Sequence, residues 1–423
     1  MRTHWRPSAS RRCLLACGLN LSLALSAGAV WAGAPEQEVR VGWPDLVRRV
    51  EQHPRLAAGA LRVEAARGGV DAAGAAPNPT LEGHVGQGLA RSGDGSRVEW
   101  GLELSVPLGW IAQRGSRLEA AEAGVEVALA EGQAQRREVL LRLQASFWGL
   151  AYEQAHVASL EAIEAQTAAM VHTVVRRVEQ GEARPVEATR VEIEREKVAA
   201  ELEAARTSLQ ARQAELALWL GLPASGALAA VADLDVLPVA PGRDAALSRA
   251  RASHPALAAA RARTRFLEAE ASSERLARVP AFTLTGSTDH ELDRRSYGVG
   301  LAVELPLWSW NSGRIAQAEA ELAASRRQAE ADGLEVEAIV LDAQAACHAS
   351  VATARRFRDH VVPRAETTAA TLERTYQLGE TNLLEVLDAR RTLLDARRLL
   401  LGALAQAHLD CSRLGVLVGE EPT

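Results

Sequence analysis

The stretch VEWGLELSVPL, residues 98–108, alternates Val98, Trp100, Leu102, Leu104 and Val106 with Glu99, Gly101, Glu103 and Ser105. A period of two puts the apolar set on one face of an extended strand and the polar set on the other. TLEGHVGQGLA (80–90) precedes it across the turn-rich RSGDGS. A second pair, AFTLTGSTDH (281–290) and SYGVGLAVELP (296–306), reads the same way, with Tyr297, Val299, Leu301, Val303 and Leu305 alternating with Gly298, Gly300, Ala302 and Glu304.

Around these strands the chain is rich in Ala, Glu, Arg and Leu, the composition of long helices. Of its 423 residues only 4% are aromatic and 24% are charged, which argues against one compact, aromatic-rich core. The net charge of −6 comes without a basic stripe, so nucleic acid is excluded as a partner. Arg2, Arg6, Arg11 and Arg12 precede the apolar run Cys13–Val30 and a small-residue end, the order of a secretory signal over 1–32 cut after Ala32. A membrane anchor, or lipidation at Cys17, is the other reading of that segment. Beyond it no run of 18 apolar residues remains to span a bilayer as a helix.

The chain states its plan twice. His53-Pro54 recurs as His254-Pro255 and Pro79 as Pro280, both 201 positions later. Pro107 matches Pro306 at 199, and Gly115 with Gly313, Gly181 with Gly379, Glu187 with Glu385 and Gly221 with Gly419 lie 198 apart. These offsets define a first repeat over 33–222, a linker over 223–242, a second repeat over 243–419 and a tail over 420–423.

Each repeat opens with a helical segment, 43–76 and 243–279, followed by a hairpin, 80–107 and 281–306. Long helices follow over 111–179 and 313–378, each about 100 Å at 1.5 Å per residue, far beyond globular length. Turns at 180–184 and 379–382 then reverse the chain into return helices over 185–220 and 383–414. Leu387, Leu394 and Leu401 recur every seven residues, a supercoil period.

Strands of about ten residues with one apolar face have the length to cross an outer membrane. Four strands cannot close a barrel, and an open edge in lipid leaves backbone groups unpaired at several kcal/mol each. Copies of the same chain would have to complete them, with Trp100, Phe282, Tyr297, Trp308 and Trp310 placed for a boundary girdle. A soluble sheet packed on helices is the alternative.

The plan resembles the outer membrane efflux family typified by TolC over nearly the whole chain beyond residue 32. SVPLGWIAQRGSRLEAAEA, VELPLWSWNSGRIAQAEAELA and YQLGETNLLEVLDAR carry the likeness, and the runs through Gly115 and Gly313 are most similar to its CzcC-like heavy-metal branch. The resemblance implies a mainly helical fold with a membrane β-barrel: a homotrimer with a 12-stranded barrel in outer-membrane lipid of a Gram-negative cell above a periplasmic α-barrel. It also implies a periplasmic adaptor and an inner-membrane RND pump as partners, with heavy-metal cations as cargo. Multidrug export or type I secretion would use the same duct. A soluble periplasmic coiled-coil scaffold is the reading from another class.

Glu385 and Asp388, three apart after the tip glycine, share a helix face, which by itself is the pattern of a solvated surface. The resemblance implies more, because both match an acidic ring narrowing the periplasmic entrance, six carboxylates in a trimer. Tyr376 matches a tip tyrosine that tethers the closed state. Thr381 stands where an arginine is frequent in the family, and Arg190, the counterpart of Asp388 in the first repeat, is a candidate replacement, with Glu187 beside it. Gly181 and Gly379 suit left-handed turns, and with Glu380 they mark the tip as the implied adaptor-docking region.

No nucleophile elbow, phosphate loop or zinc-helix motif is present, so no enzyme and no cofactor are expected. The histidines are scattered and suggest no metal site. Cys347 and Cys411 lie 32 positions before and after Gly379, hence at similar height on antiparallel helices. Equal height leaves open whether they bond or stay free.

Overall fold

The computed structural model describes residues 39–89, 96–223, 228–291, 294–305 and 307–419. The expected signal segment with its cleavage and lipidation alternatives, Pro306 and the tail 420–423 lie outside them. The first part of the chain runs β1 (Val39–Val41), α1 (Trp43–Val50), α2 (Pro54–Gly74), β2 (Thr80–Leu89), β3 (Ser96–Pro107), α3 (Trp110–Glu179) and α4 (Pro185–Trp219). After β4 (Leu228–Ala230) come α5 (Arg243–Ser253), α6 (Pro255–Leu276), β5 (Ala281–Glu291), β6 (Arg294–Glu304) and α7 (Ser312–Arg356). A π turn (Phe357–Val361), α8 (Val362–Gln377) and α9 (Leu383–Val418) complete it.

Three segments differ from the sequence expectation. Single helices over 43–76 and 243–279 are each split at a His-Pro step. Proline lacks an amide donor and keeps the preceding residue extended, so His53 (ψ 135°) and His254 (ψ 125°) each cap the following helix, His254 also closing α5. Their Nδ1 atoms accept from the amides of Arg55 (3.2 Å) and Ala256 (3.3 Å). The expected unbroken helix over 313–378 contains Pro363, whose missing donor falls just past the π turn that absorbs the disruption.

The hairpins join into one antiparallel sheet in the order β2-β3-β5-β6. Trp100 pairs with Val85 and His290, Leu104 with Leu81, and Leu284 with Leu301, so all four apolar rows share a face. That face is open: Val299 is 85% exposed, Tyr297 80% and Val85 78%. The opposite face carries Glu82, Glu99, Glu103, Asp289, Glu291 and Glu304. Among the described residues, the outer strands β2 and β6 each keep one edge unpaired within the chain. Among the described residues, no helix is long and apolar enough to cross a membrane.

Below the sheet, α3 runs 70 residues, about 105 Å, beside α4 and α9. The main core lies midway along it. Leu46, Val50, Leu143, Phe147, Leu150, Leu216 and Leu228 form one buried cluster, and Val340, Ala343, Ala354, Leu404, Ala407 and Leu414 a second. Trp148 packs on both, donates to Ser412 Oγ at 3.1 Å and stacks on His408 at 4.2 Å. β1 pairs in parallel with β4, tying the start of the described chain to the linker.

Small residues let α7 and α9 approach closely, and Cys347 and Cys411 form a disulfide with Cα atoms 4.7 Å apart. The pairing that the sequence left open is thereby decided. In a chain lacking residues 1–32, denatured but unreduced, thiol titration will read no free thiol, and two per chain after reduction. Two reactive thiols before reduction would exclude the bridge.

Burial depresses the His408 imidazole below its ordinary value of 6.5, opposed by its bond with Leu234 O and by Asp233. Burial and then Arg137 do the same to His254. The folded chain therefore binds these protons less readily than the unfolded one. Their destabilising effect is absent above pH 6.5 and grows as pH falls toward the lowered values. The thermal unfolding midpoint will drop on acidification below pH 6.5, and less steeply for a His254→Gln, His408→Gln double variant. Parallel slopes would refute the assignment.

Candidate functional site at the helical tip

The far end of the helices is built by two identical reversals. Gly181 (φ 76°) and Gly379 (φ 79°) occupy the left-handed region that side-chain-bearing residues avoid. The Gly181 amide donates to Val178 O and the Glu182 amide to Arg177 O, at 3.0 and 2.8 Å. The Gly379 amide donates to Tyr376 O and the Glu380 amide to Thr375 O, at 3.0 and 2.9 Å. This paired pattern closes the orphan carbonyls of a helix end and turns the chain sharply. Pro185 then starts α4, where its missing donor costs nothing.

Asn382 caps α9. Its Oδ1 accepts from the Glu385 amide at 3.1 Å, and its Nδ2 donates to Glu385 Oε1 at 2.8 Å. Thr381 Oγ1 donates to Glu385 Oε2. Glu385 thus has a structural duty the sequence reading missed: its carboxylate accepts from the Asn382 and Thr381 side chains at the positive end of the helix dipole, while its amide is capped by Asn382. The signal was present, an Asn followed three residues later by Glu ahead of an apolar run. Asp388 lies one turn on, exposed like Glu385, and both line a groove of about 840 Å³ between α8 and α9 that also presents Arg356, His360 and Arg364.

Tyr376 is 6% exposed, packed among Met170, Val174, Val191, Leu383, Val386 and Leu387. Its hydroxyl donates to Glu187 Oε2 at 3.5 Å, joining α8 to α4. Burial, ahead of any charge, pushes the phenol's pKa up, so it stays a donor. Arg177 lies 4.7 Å above the ring, and its Nη1 donates to Tyr376 O at 3.0 Å. Sequence reading missed Arg177, although a basic residue in the last turn before a glycine is a recognisable helix-end signal.

Among the described residues, no hydrogen bond or ion pair joins Arg190 to Asp388. Arg190 is exposed. The bridge between α4 and α9 is made instead by Glu194 and Arg391: Nε donates to Oε1 at 2.9 Å and Nη2 donates to Oε2 in a fork. The bond to Arg391 holds the Glu194 carboxyl below its ordinary range, and the same bond raises Arg391. Arg390–Glu373 (2.6 Å) and Arg397–Glu366 (2.7 Å) cross-link α8 and α9. Among the described residues, no group of His, Cys, Asp and Glu gathers to hold a metal ion.

These tips, an open apolar sheet and a helix of 70 residues bear comparison with known proteins. The family model described as "Outer membrane efflux protein" matches residues 47–222 and 246–420. The cobalt-zinc-cadmium resistance protein CzcC of Cupriavidus metallidurans is 28% identical over 367 residues, 86% of this chain and 86% of CzcC. The solved outer membrane protein VceC of Vibrio cholerae aligns with a TM-score of 0.73 at 20% identity, over 89% of this chain and 96% of VceC. The open-state MtrE outer membrane channel of Neisseria gonorrhoeae aligns with a TM-score of 0.73 at 18% identity, covering 92% of this chain and 93% of MtrE. The fold is thus that of a helical barrel continued by a membrane β-barrel. The chain belongs to the outer membrane efflux protein family: it is an outer-membrane efflux channel reaching into the periplasm, and not an enzyme.

Proposed function

We propose that three copies of this chain close a 12-stranded barrel in the outer membrane over a tunnel of twelve helical strands. Cargo handed over by an inner-membrane RND pump and a periplasmic adaptor passes through it to the exterior. The observation that carries this reading is the four-stranded sheet with one exposed apolar face and free edges on β2 and β6. In hydrocarbon such edges must be paired, and only further copies supply matching strands. The chain is then two repeats, 33–222 and 243–419, joined by the linker 223–242, and each repeat contributes one hairpin and one pair of helices.

Heavy-metal cations are the cargo. Three observations support this: the likeness to CzcC, the carboxylates on the sheet face turned from lipid, and the pair Glu385 and Asp388 at the entrance. In three copies that pair becomes a ring of six carboxylates, which attracts cations and lowers the barrier to their entry. Tyr376 with Glu187, and Glu194 with Arg391, hold the second hairpin of helices against the first and keep the entrance narrow. The turns at Gly181 and Gly379, with Glu380, dock the adaptor. Passage requires no resident metal, and tight sites would impede it.

The purified channel will have the mass of three chains in detergent and conduct cations in a planar bilayer. Glu385→Ala with Asp388→Ala will raise its conductance and weaken its cation preference. A monomer that dissolves without detergent sinks the duct, and unchanged conductance and selectivity in the double variant sink the acidic entrance.

Glu194→Gln will leave the fold intact while loosening the tip by about 1 kcal/mol, the scale for a pair with one half-exposed partner, or roughly a fivefold shift in the shut-to-open ratio. Single-channel recordings at pH 7 read this directly. An open probability equal to that of the wild type would show that the bridge holds nothing shut.

A further inference from the structure

The second hairpin meets its long helix differently from the first. Between β6 and α7, Leu305, Leu307, Trp308, Ser309 and Asn311 lie against the end of α6 and the start of β5. A cleft of about 490 Å³ remains there, lined by Arg278, Glu304, Leu307, Trp308 and Arg314 among others. Trp308 is 94% exposed, Leu307 64%, and Leu305 and Trp310 60%. Leu305 continues the apolar row of β6 by one residue, and Leu307, Trp308 and Trp310 add exposed apolar surface beyond it. Contiguous apolar surface of this kind marks an interaction site, and at the end of a membrane strand it lies at the lipid boundary.

Two guanidinium groups flank the same cleft. Arg278 Nε donates to Trp310 O at 3.1 Å, which fixes that side chain beside the tryptophans and leaves its terminal nitrogens available. Arg314 forms no hydrogen bond or ion pair among the described residues and is exposed. Glu304, the carboxylate of the lining, is on the polar row of β6, opposite to Tyr297, Val299, Leu301 and Val303. The first hairpin has a tryptophan counterpart to Trp308 in Trp110 but lacks the arginine pair. Positions 198 before Trp310 and Arg314 are Ala112 and Ser116, and the nearby Arg114 donates to Gly74 O at 3.1 Å.

We propose that this cleft binds an anionic glycerophospholipid of the periplasmic leaflet. Its phosphate lies between Arg278 and Arg314, and an acyl chain follows Leu305, Leu307 and Trp308. Guanidinium groups match phosphate oxygens with paired donors, and two of them exceed what a zwitterionic headgroup needs for neutrality. The commitment to a lipid follows from continuity: the apolar wall of the cleft is the lower margin of the sheet face that meets the membrane. The proposal rests on the barrel reading given above, and it adds one lipid site per chain, where the helices leave the bilayer.

The test is fluorescence quenching in vesicles of phosphatidylcholine doped with phosphatidylglycerol or phosphatidylethanolamine, either one carrying brominated acyl chains. Trp308 emission is read as the difference between wild type and Trp308→Phe, and mid-sheet Trp100 likewise through Trp100→Phe. The expected result is quenching of Trp308 about fivefold stronger by the brominated phosphatidylglycerol. Arg278→Gln with Arg314→Gln should abolish that preference and leave Trp100 quenching alike for both lipids. Should the double variant fail to assemble, displacement of the brominated lipid from wild type by unbrominated phosphatidylglycerol, but not by phosphatidylethanolamine, supports the same conclusion. Equal quenching of Trp308 by both lipids overturns the proposal. So does the absence of Trp308 quenching while Trp100 is quenched, since a neighbouring copy then covers the cleft. If neither tryptophan is quenched, the barrel reading falls as well.

Discussion

A β-strand at the edge of a sheet carries a row of unpaired amides and carbonyls, and in hydrocarbon there is no water to receive them. The sheet β2-β3-β5-β6 has two such edges and a face of exposed Val, Leu, Phe, Tyr and Trp. The apolar face calls for lipid, and lipid forbids the open edges. Most of the remaining architecture follows from that conflict. Under the closure proposed above, the chain commits about two dozen residues per hairpin to the membrane and leaves closure to copies of itself. Because side chains alternate, sending the apolar rows outward sends Glu82, Glu103 and Asp289 inward in the same step. The chemistry of the lumen is thus tied to the requirement for a greasy exterior.

Stability along the helices is uneven, and the unevenness suits a duct with a movable end. Midway down, two apolar clusters share Trp148, the β1–β4 ribbon pins the linker, and the disulfide fastens α7 to α9. Below Cys347 the helix passes through the π turn and Pro363, where its ladder is already interrupted. From there to the tip, the second pair of helices is held to the first by a small cluster around Tyr376 and a handful of polar contacts. Segments with fewer buried apolar contacts open at lower free energy than the core they adjoin. Under the gating proposed above, an entrance held this way opens without disturbing the belt above it.

The features legible in the sequence are those set by neighbours along the chain. Alternation around Trp100 and Val299 marks strands because a pleated backbone has a period of two. Gly181 and Gly379 mark reversals because only glycine enters the left-handed region at little cost, and the long runs of Ala, Glu and Leu mark helices because few residues in them compete with the helical backbone. Pro363 and the Asn382–Glu385 capping pair were local signals as well, readable in the sequence but passed over.

What tertiary structure alone decided lies where distant residues meet. The parallel pairing of Val39–Val41 with Leu228–Ala230, the joining of β3 to β5, the bond between Cys347 and Cys411, and the contacts of Tyr376 with Glu187 and of Arg391 with Glu194 all depend on how helices rotate about their own axes. Equal height on the parallel return helices α4 and α9 brought Arg190 no closer to Asp388, whereas Glu194, one turn further along, meets Arg391. A residue's position along a helix follows from counting, but the direction of its Cβ follows from packing, and packing is a property of the whole fold.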